Sequence, residues 1–111
     1  MTIEYTDFSK VDIRVGTVVK SEVYAEARHP ALKLWIDFGA EIGEKKTSAQ
    51  ITKHYTPEMI VGQQVAAVVN FAPKQIGKFM SEVLVVGFPD DDNEVVLVQP
   101  SHPVPNGGRL Y

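Results

Sequence analysis

LKLWIDFG, residues 32–39, alternates without a break, with Leu32, Leu34, Ile36 and Phe38 on one face and Lys33, Trp35 and Asp37 on the other. A period of two marks a strand with one face in a core, so Trp35 is expected on the polar side. Upstream, IRVGTVVKSE (residues 13–22) separates Ile13, Val15, Thr17 and Val19 from Arg14, Gly16, Val18 and Lys20. A glycine inside a strand often marks a bulge or bend, which a coiled, barrel-forming strand needs. Downstream, KTSAQI (residues 46–51) predicts a short third strand.

Two short helices punctuate this pattern. YTDFSKV (residues 5–11) offers Thr6 or Asp7 as a cap, and Thr56-Pro57-Glu58 opens a second helix that Gly62 stops. QVAAVVNF (residues 64–71) and SEVLVVGF (residues 81–88) are apolar on both faces, which predicts strands covered inside and out. EVVLVQP (residues 94–100) adds another after the PDDDNE turn, and Asn106-Gly107 in the closing SHPVPNGGRLY signals a tight turn. Strand, strand, strand, short helix, strand, strand is the order of an all-β, five-stranded Greek-key barrel, the OB fold. Residues 1–111 are expected to form it as a single domain.

The composition suits one core: 111 residues, 44% hydrophobic and 23% charged. The absence of cysteine removes disulfides, thiolate zinc sites and cysteine nucleophiles, and fits a reducing setting. With no secretory signal and no apolar run near the ~20 residues that cross a bilayer, the expectation is a cytoplasmic protein without membrane insertion. The net charge of −3 argues against a nucleic-acid partner taken alone. The distribution qualifies this, because Lys45, Lys46, Lys53, Lys74 and Lys78 face a single acid, Glu58, between residues 45 and 81.

Catalytic and metal chemistry find little purchase. His29, His54 and His102 are far apart, two of them precede proline, and none has a metal-ligand spacing. No GxSxG elbow or phosphate-cradling glycine loop is present, and the Asp90–Asp92 run lacks the remaining ligands of a calcium loop. A non-enzymatic binding protein without cofactors is expected.

NFAPKQIGKFMSEVLVVGF (residues 70–88) carries the more pointed signal. In an OB barrel the loop before the last core strand borders the ligand face, so Lys74 and Lys78 project beside strands two and three. Pro73 stiffens that loop and Gly77 permits a conformation barred to most residues. Two ammonium groups there form a phosphate clamp, or else they keep a turn soluble. Trp35, beside Lys33, has three open roles: stacking on a base, lying under a partner subunit, or packing under the chain's own tail.

DIRVGTVVKSE, SAQITKHYTPEMIVG and NFAPKQIGKFMSEVLVV, in this order, resemble the tRNA-binding domain appended to bacterial methionyl-tRNA synthetases and opening the phenylalanyl-tRNA synthetase large chain. The usual Gly-Met two residues beyond the serine is here Val83-Leu84. With the SEVLV strand and a closing Gln99-Pro100…Pro103-Val104-Pro105-Asn106-Gly107, the chain is more similar to the free-standing CsaA branch. That resemblance implies a homodimeric, export-related chaperone that binds unfolded or exported polypeptides and has tRNA-binding capacity. The alternative is a dedicated tRNA-binding or synthetase-associated protein without chaperone activity. Terminal extensions would pair two copies. Lys33, Lys53, Lys74 and Lys78 would meet phosphate, with Trp35, Asn70, Ser81 and Glu82 completing the RNA- or peptide-binding face.

Overall fold

The computed structural model describes Met1–Tyr111. Its elements run α1 (Tyr5–Ser9), β1 (Ile13–Val23), β2 (Leu32–Asp37), α2 (Gly39–Ile42), β3 (Glu44–Ala49), α3 (Pro57–Ile60), β4 (Gln64–Val68), β5 (Lys74–Ile76), β6 (Phe79–Ser81), β7 (Leu84–Val85), β8 (Gly87–Pro89) and β9 (Val95–Leu97). Five strands form one antiparallel sheet in the order β3-β2-β1-β4-β7, and β5–β6 and β8–β9 are hairpins. The barrel closes where the buried Thr47 hydroxyl of β3 donates to the Val83 carbonyl at 2.6 Å and Glu82 N–H donates to the Lys46 carbonyl at 2.8 Å. The expected OB-type barrel with short helices is the observed one.

Leu32, Leu34, Ile36 and Phe38 enter the core as their alternation requires, joined by Val18, Ile51, Ile60, Val65, Ala67, Val83 and Leu97. Ile60 arrives on α3, whose Thr56 cap accepts from the Met59 N–H at 3.2 Å. Several details correct the sequence reading. On β1 the buried positions are Gly16 and Val18, while Val19 is 45% exposed because the register slips between Val18 and Lys20. The bulge is therefore at Val19. Gly16 instead makes room, since a Cβ there would lie 2.6 Å from Ile36 Cγ2 and 2.8 Å from Phe38 Cδ1.

β3 starts two residues early, because the turn at Gly43 brings Glu44 opposite Asp37; Gln50 and Ile51 leave the sheet, although Ile51 still buries its side chain. Helix α1 begins beyond Glu4, with Asp7 accepting from the Glu4 N–H at 2.9 Å; neither Thr6 nor Asp7 is the cap residue. The expected strand over 81–88 breaks into β6, β7 and β8. Its outer side is not covered within the chain, for Leu84 is 52% and Phe88 69% exposed. The tail is held in cis: Gly107 N–H donates to Val15 C=O at 2.8 Å, Leu110 N–H to Ile13 C=O at 2.8 Å, and Thr17 Oγ1 to Asn106 Oδ1 at 2.8 Å.

The PDDDNE turn is organised by Asp90, which accepts from the backbone N–H groups of Asp92 (2.8 Å) and Glu94 (2.9 Å) and lies 2.7 Å from His54 Nε2. The His54 hydrogen bond, then those from Glu94 and Asp92, hold its carboxyl below the usual carboxylate range. Folding therefore favours the charged form. The resulting stability is complete above the unfolded-state pKa of about 3.9 and is lost as pH falls through the lower folded value. Asp90→Asn is expected to melt below the parent at pH 6, with the gap narrowing as pH is taken below about 4 in thermal scans; a gap independent of pH would contradict this.

Candidate functional site

Register alone places three residues side by side on the outer face of the sheet: Lys20 of β1 opposite Trp35 of β2, and Trp35 opposite Lys46 of β3. The β5–β6 hairpin packs against this row and buries Phe79. Trp35 and Phe79 meet edge to face at 5.8 Å between centroids, and Tyr24 and Phe79 at 5.7 Å. Trp35 is thus half-buried against a hairpin of its own chain, and the option of packing under the tail is corrected to packing beside this hairpin.

Ammonium groups surround the aromatic trio. Lys20 Nζ lies 4.6 Å from the Trp35 ring, Lys33 Nζ 4.7 Å from Tyr24 and 5.0 Å from Phe79, and Lys46 Nζ 5.1 Å from Phe79. The aliphatic stems cover apolar rings while the charged heads reach water, and the ring quadrupoles favour the cations where they sit. Lys20 is also 3.4 Å from Glu22. The ion pairs of the chain involve neither Lys33, Lys46, Lys74, Lys78 nor Arg28. Their charge is available to an anion.

The loop expected to carry Lys74 and Lys78 is this hairpin, with Gly77 at φ 62° in its turn. It is fastened at both ends. Tyr24 donates its hydroxyl to the Ile76 carbonyl at 2.5 Å, Ser81 Oγ accepts from the Ser48 N–H at 3.0 Å, and Glu82 Oε1 accepts from the Lys46 N–H at 3.0 Å. Ser81 and Glu82 therefore hold the hairpin against β3. Asn70 faces elsewhere, its amide donating to Lys10 C=O at 2.7 Å and accepting from Asp12 N–H at 3.0 Å, which ties the lead-in of β1 to the end of β4. Lys53 is exposed on the turn after β3. The structure brings Lys33, Trp35, Lys74, Ser81 and Glu82 to one side, and gives Asn70 a different task.

Beside the lysine row, a cleft of about 690 Å³ opens between the β1–β2 loop, the hairpin and the end of β3. Arg28, His29 and Lys74 are among its lining residues, with Phe71, Ile51 and Val83 among the apolar ones. Neither Arg28 nor Phe71 stands out in the sequence pattern. AEARHP could have drawn attention to Arg28, since it occupies the loop between the first two strands, which in OB barrels shares the ligand face with the loop carrying Lys74. No three His, Cys, Asp or Glu side chains converge to hold a metal ion, and no helix is long and apolar enough to cross a membrane.

Residues 13–109 match a family model described as "Putative tRNA binding domain". Curated relatives include the methionine–tRNA ligase of Cytophaga hutchinsonii, 34% identical over 97% of this chain and 15% of the ligase, and that of Chlorobium chlorochromatii, 38% identical over 95% of the chain and 14% of the ligase. The chain thus spans about 15% of the length of such relatives. Among solved structures, chaperone CsaA of Bacillus anthracis is similar with a TM-score of 0.94 and 50% identity over 100% of both chains. The CsaA chaperone protein of Picrophilus torridus matches at 0.91 and 46%, over 99% of this chain and 100% of that one. A methionyl-tRNA-synthetase-related protein of Pyrococcus horikoshii matches at 0.88 and 28%, over 100% and 99%.

Proposed function

This chain belongs to the tRNA-binding-domain family, a binding module rather than a catalytic one, and on that premise we propose that it is a non-enzymatic protein that grips structured RNA such as tRNA. The observation that carries this reading is the ring of ammonium groups fixed around Trp35, Tyr24 and Phe79, two of which, Lys33 and Lys46, have no carboxylate partner. Lys74 and Lys78 extend the row along the hairpin, and Lys53 adds charge beyond it. Such a surface tracks phosphates; the aromatic trio fixes its shape without demanding a sequence. Asn70, Ser81 and Glu82 serve by holding the elements that present it.

Similarity to chaperone CsaA over the whole chain favours a second activity, the holding of unfolded or exported polypeptide, in a cytoplasmic homodimer. Exposed Tyr5, Val11, Leu110 and Tyr111, around a groove of about 260 Å³ between α1 and the tail, are the surface a second copy would cover. Light scattering at micromolar concentration is expected to give twice the 12.3 kDa chain mass; the single mass would remove the dimer. The two ligands separate by salt. In competition between tRNA and an unfolded protein, tRNA should win at 50 mM salt and be shed at 500 mM, where polypeptide is retained. Failure to hold tRNA at the lower salt would overturn the RNA reading.

A further inference from the structure

The cleft beside the lysine row has two chemistries. Arg28, His29 and Lys74 put positive or protonatable groups among its lining residues, against one acid, Glu82, whose Oε1 is already engaged by the Lys46 N–H. The remainder is largely apolar: Ala31, Ala49, Ile51, Val83 and Val85 offer no side-chain donor to a phosphate. Phe71, 57% exposed, presents a ring to the opening, and Gln50 an amide with both donor and acceptor.

We infer that this cleft receives a single unpaired nucleotide of the bound RNA, its base stacked on Phe71 and its flanking phosphates held by Arg28 and Lys74. The inference rests on the RNA reading above. A duplex does not enter a space of about 690 Å³, and the bases of an A-form helix are stacked inside it with their faces covered, so the part of an RNA that fits is one that has left the stack. An apolar interior with cations at its mouth suits a base, which is flat and uncharged, carried on an anionic backbone. For polypeptide those cations have no obligatory partner. Gln50 lies where it can pair with the edge of the base, giving the site a preference among nucleotides.

The test uses the full chain and three synthetic RNA hairpins of one stem sequence: fully paired, with one bulged 2-aminopurine, and with an abasic residue at the bulge. Fluorescence anisotropy at 50 mM salt is expected to show the bulged hairpin bound about tenfold more tightly than the abasic one, the scale of one base stacked on an aromatic side chain. The 2-aminopurine emission should change on binding, as the base exchanges its neighbours in the stem for the ring of Phe71. Phe71→Ala, at an exposed position, is expected to abolish the preference and the emission change while leaving the paired hairpin bound as before. Equal affinity for all three hairpins would overturn the inference and leave RNA binding standing. No binding of any of them would overturn both. Displacement of the bulged hairpin by an extended apolar peptide, from the parent and from Phe71→Ala alike, would assign the cleft to polypeptide instead.

Discussion

Replacing Lys33, Lys46, Lys74 and Lys78 together by methionine is expected to weaken tRNA binding on the order of a hundredfold or more at 100 mM salt. Each phosphate contact releases condensed counterions, and at that salt one contact contributes about five- to eightfold in affinity. Methionine keeps an unbranched apolar stem over Phe79 while removing the charge, so the aromatic trio is left packed. The loss should be electrostatic in kind, with the slope of log affinity against log salt falling by about 3. Unchanged retention of tRNA in gel shifts would show that the lysines only keep this face soluble.

Gly16→Val is expected to destabilise the fold by about 3 kcal/mol, the upper end of what overpacking a core costs. The first added atom would lie 2.6 Å from Ile36 Cγ2, 2.8 Å from Phe38 Cδ1 and 2.9 Å from the Asp37 carbonyl oxygen. Two of these neighbours are buried core side chains and the third is backbone, so none can turn aside cheaply. Urea unfolding followed by Trp35 fluorescence should show the midpoint falling with little change in slope. Stability within about 0.5 kcal/mol of the parent, the range of an ordinary surface substitution, would mean that β1 does not approach β2 as described.

The barrel was legible because its second strand writes its burial in strict alternation, and because Thr56-Pro57 and Gly62 bracket a helix by backbone chemistry alone. β1 was harder. Its two faces are equally apolar around Val18 and Val19, and only the bulge, a property of pairing with β2, decides which enters the core. The stretch 81–88 has the composition of one continuous strand, and nothing in it shows that Val83 must turn its carbonyl to Thr47, a contact formed across 36 residues. The site divides the same way. Lys33, Trp35, Lys74 and Lys78 follow from alternation and from the loop's place in the fold. Lys20 and Lys46 join them only through register, and Asn70 is diverted to Asp12 and Lys10 by tertiary contacts that a linear pattern does not carry.

The most direct measurement is a titration of isotope-labelled protein with tRNA, following backbone and lysine side-chain resonances. The account predicts that signals of Lys20, Lys33, Lys46 and the 74–81 hairpin move together, with the Trp35 indole, at substoichiometric tRNA. Shifts confined to α1, the tail and β8–β9, with the lysine row silent, would contradict it.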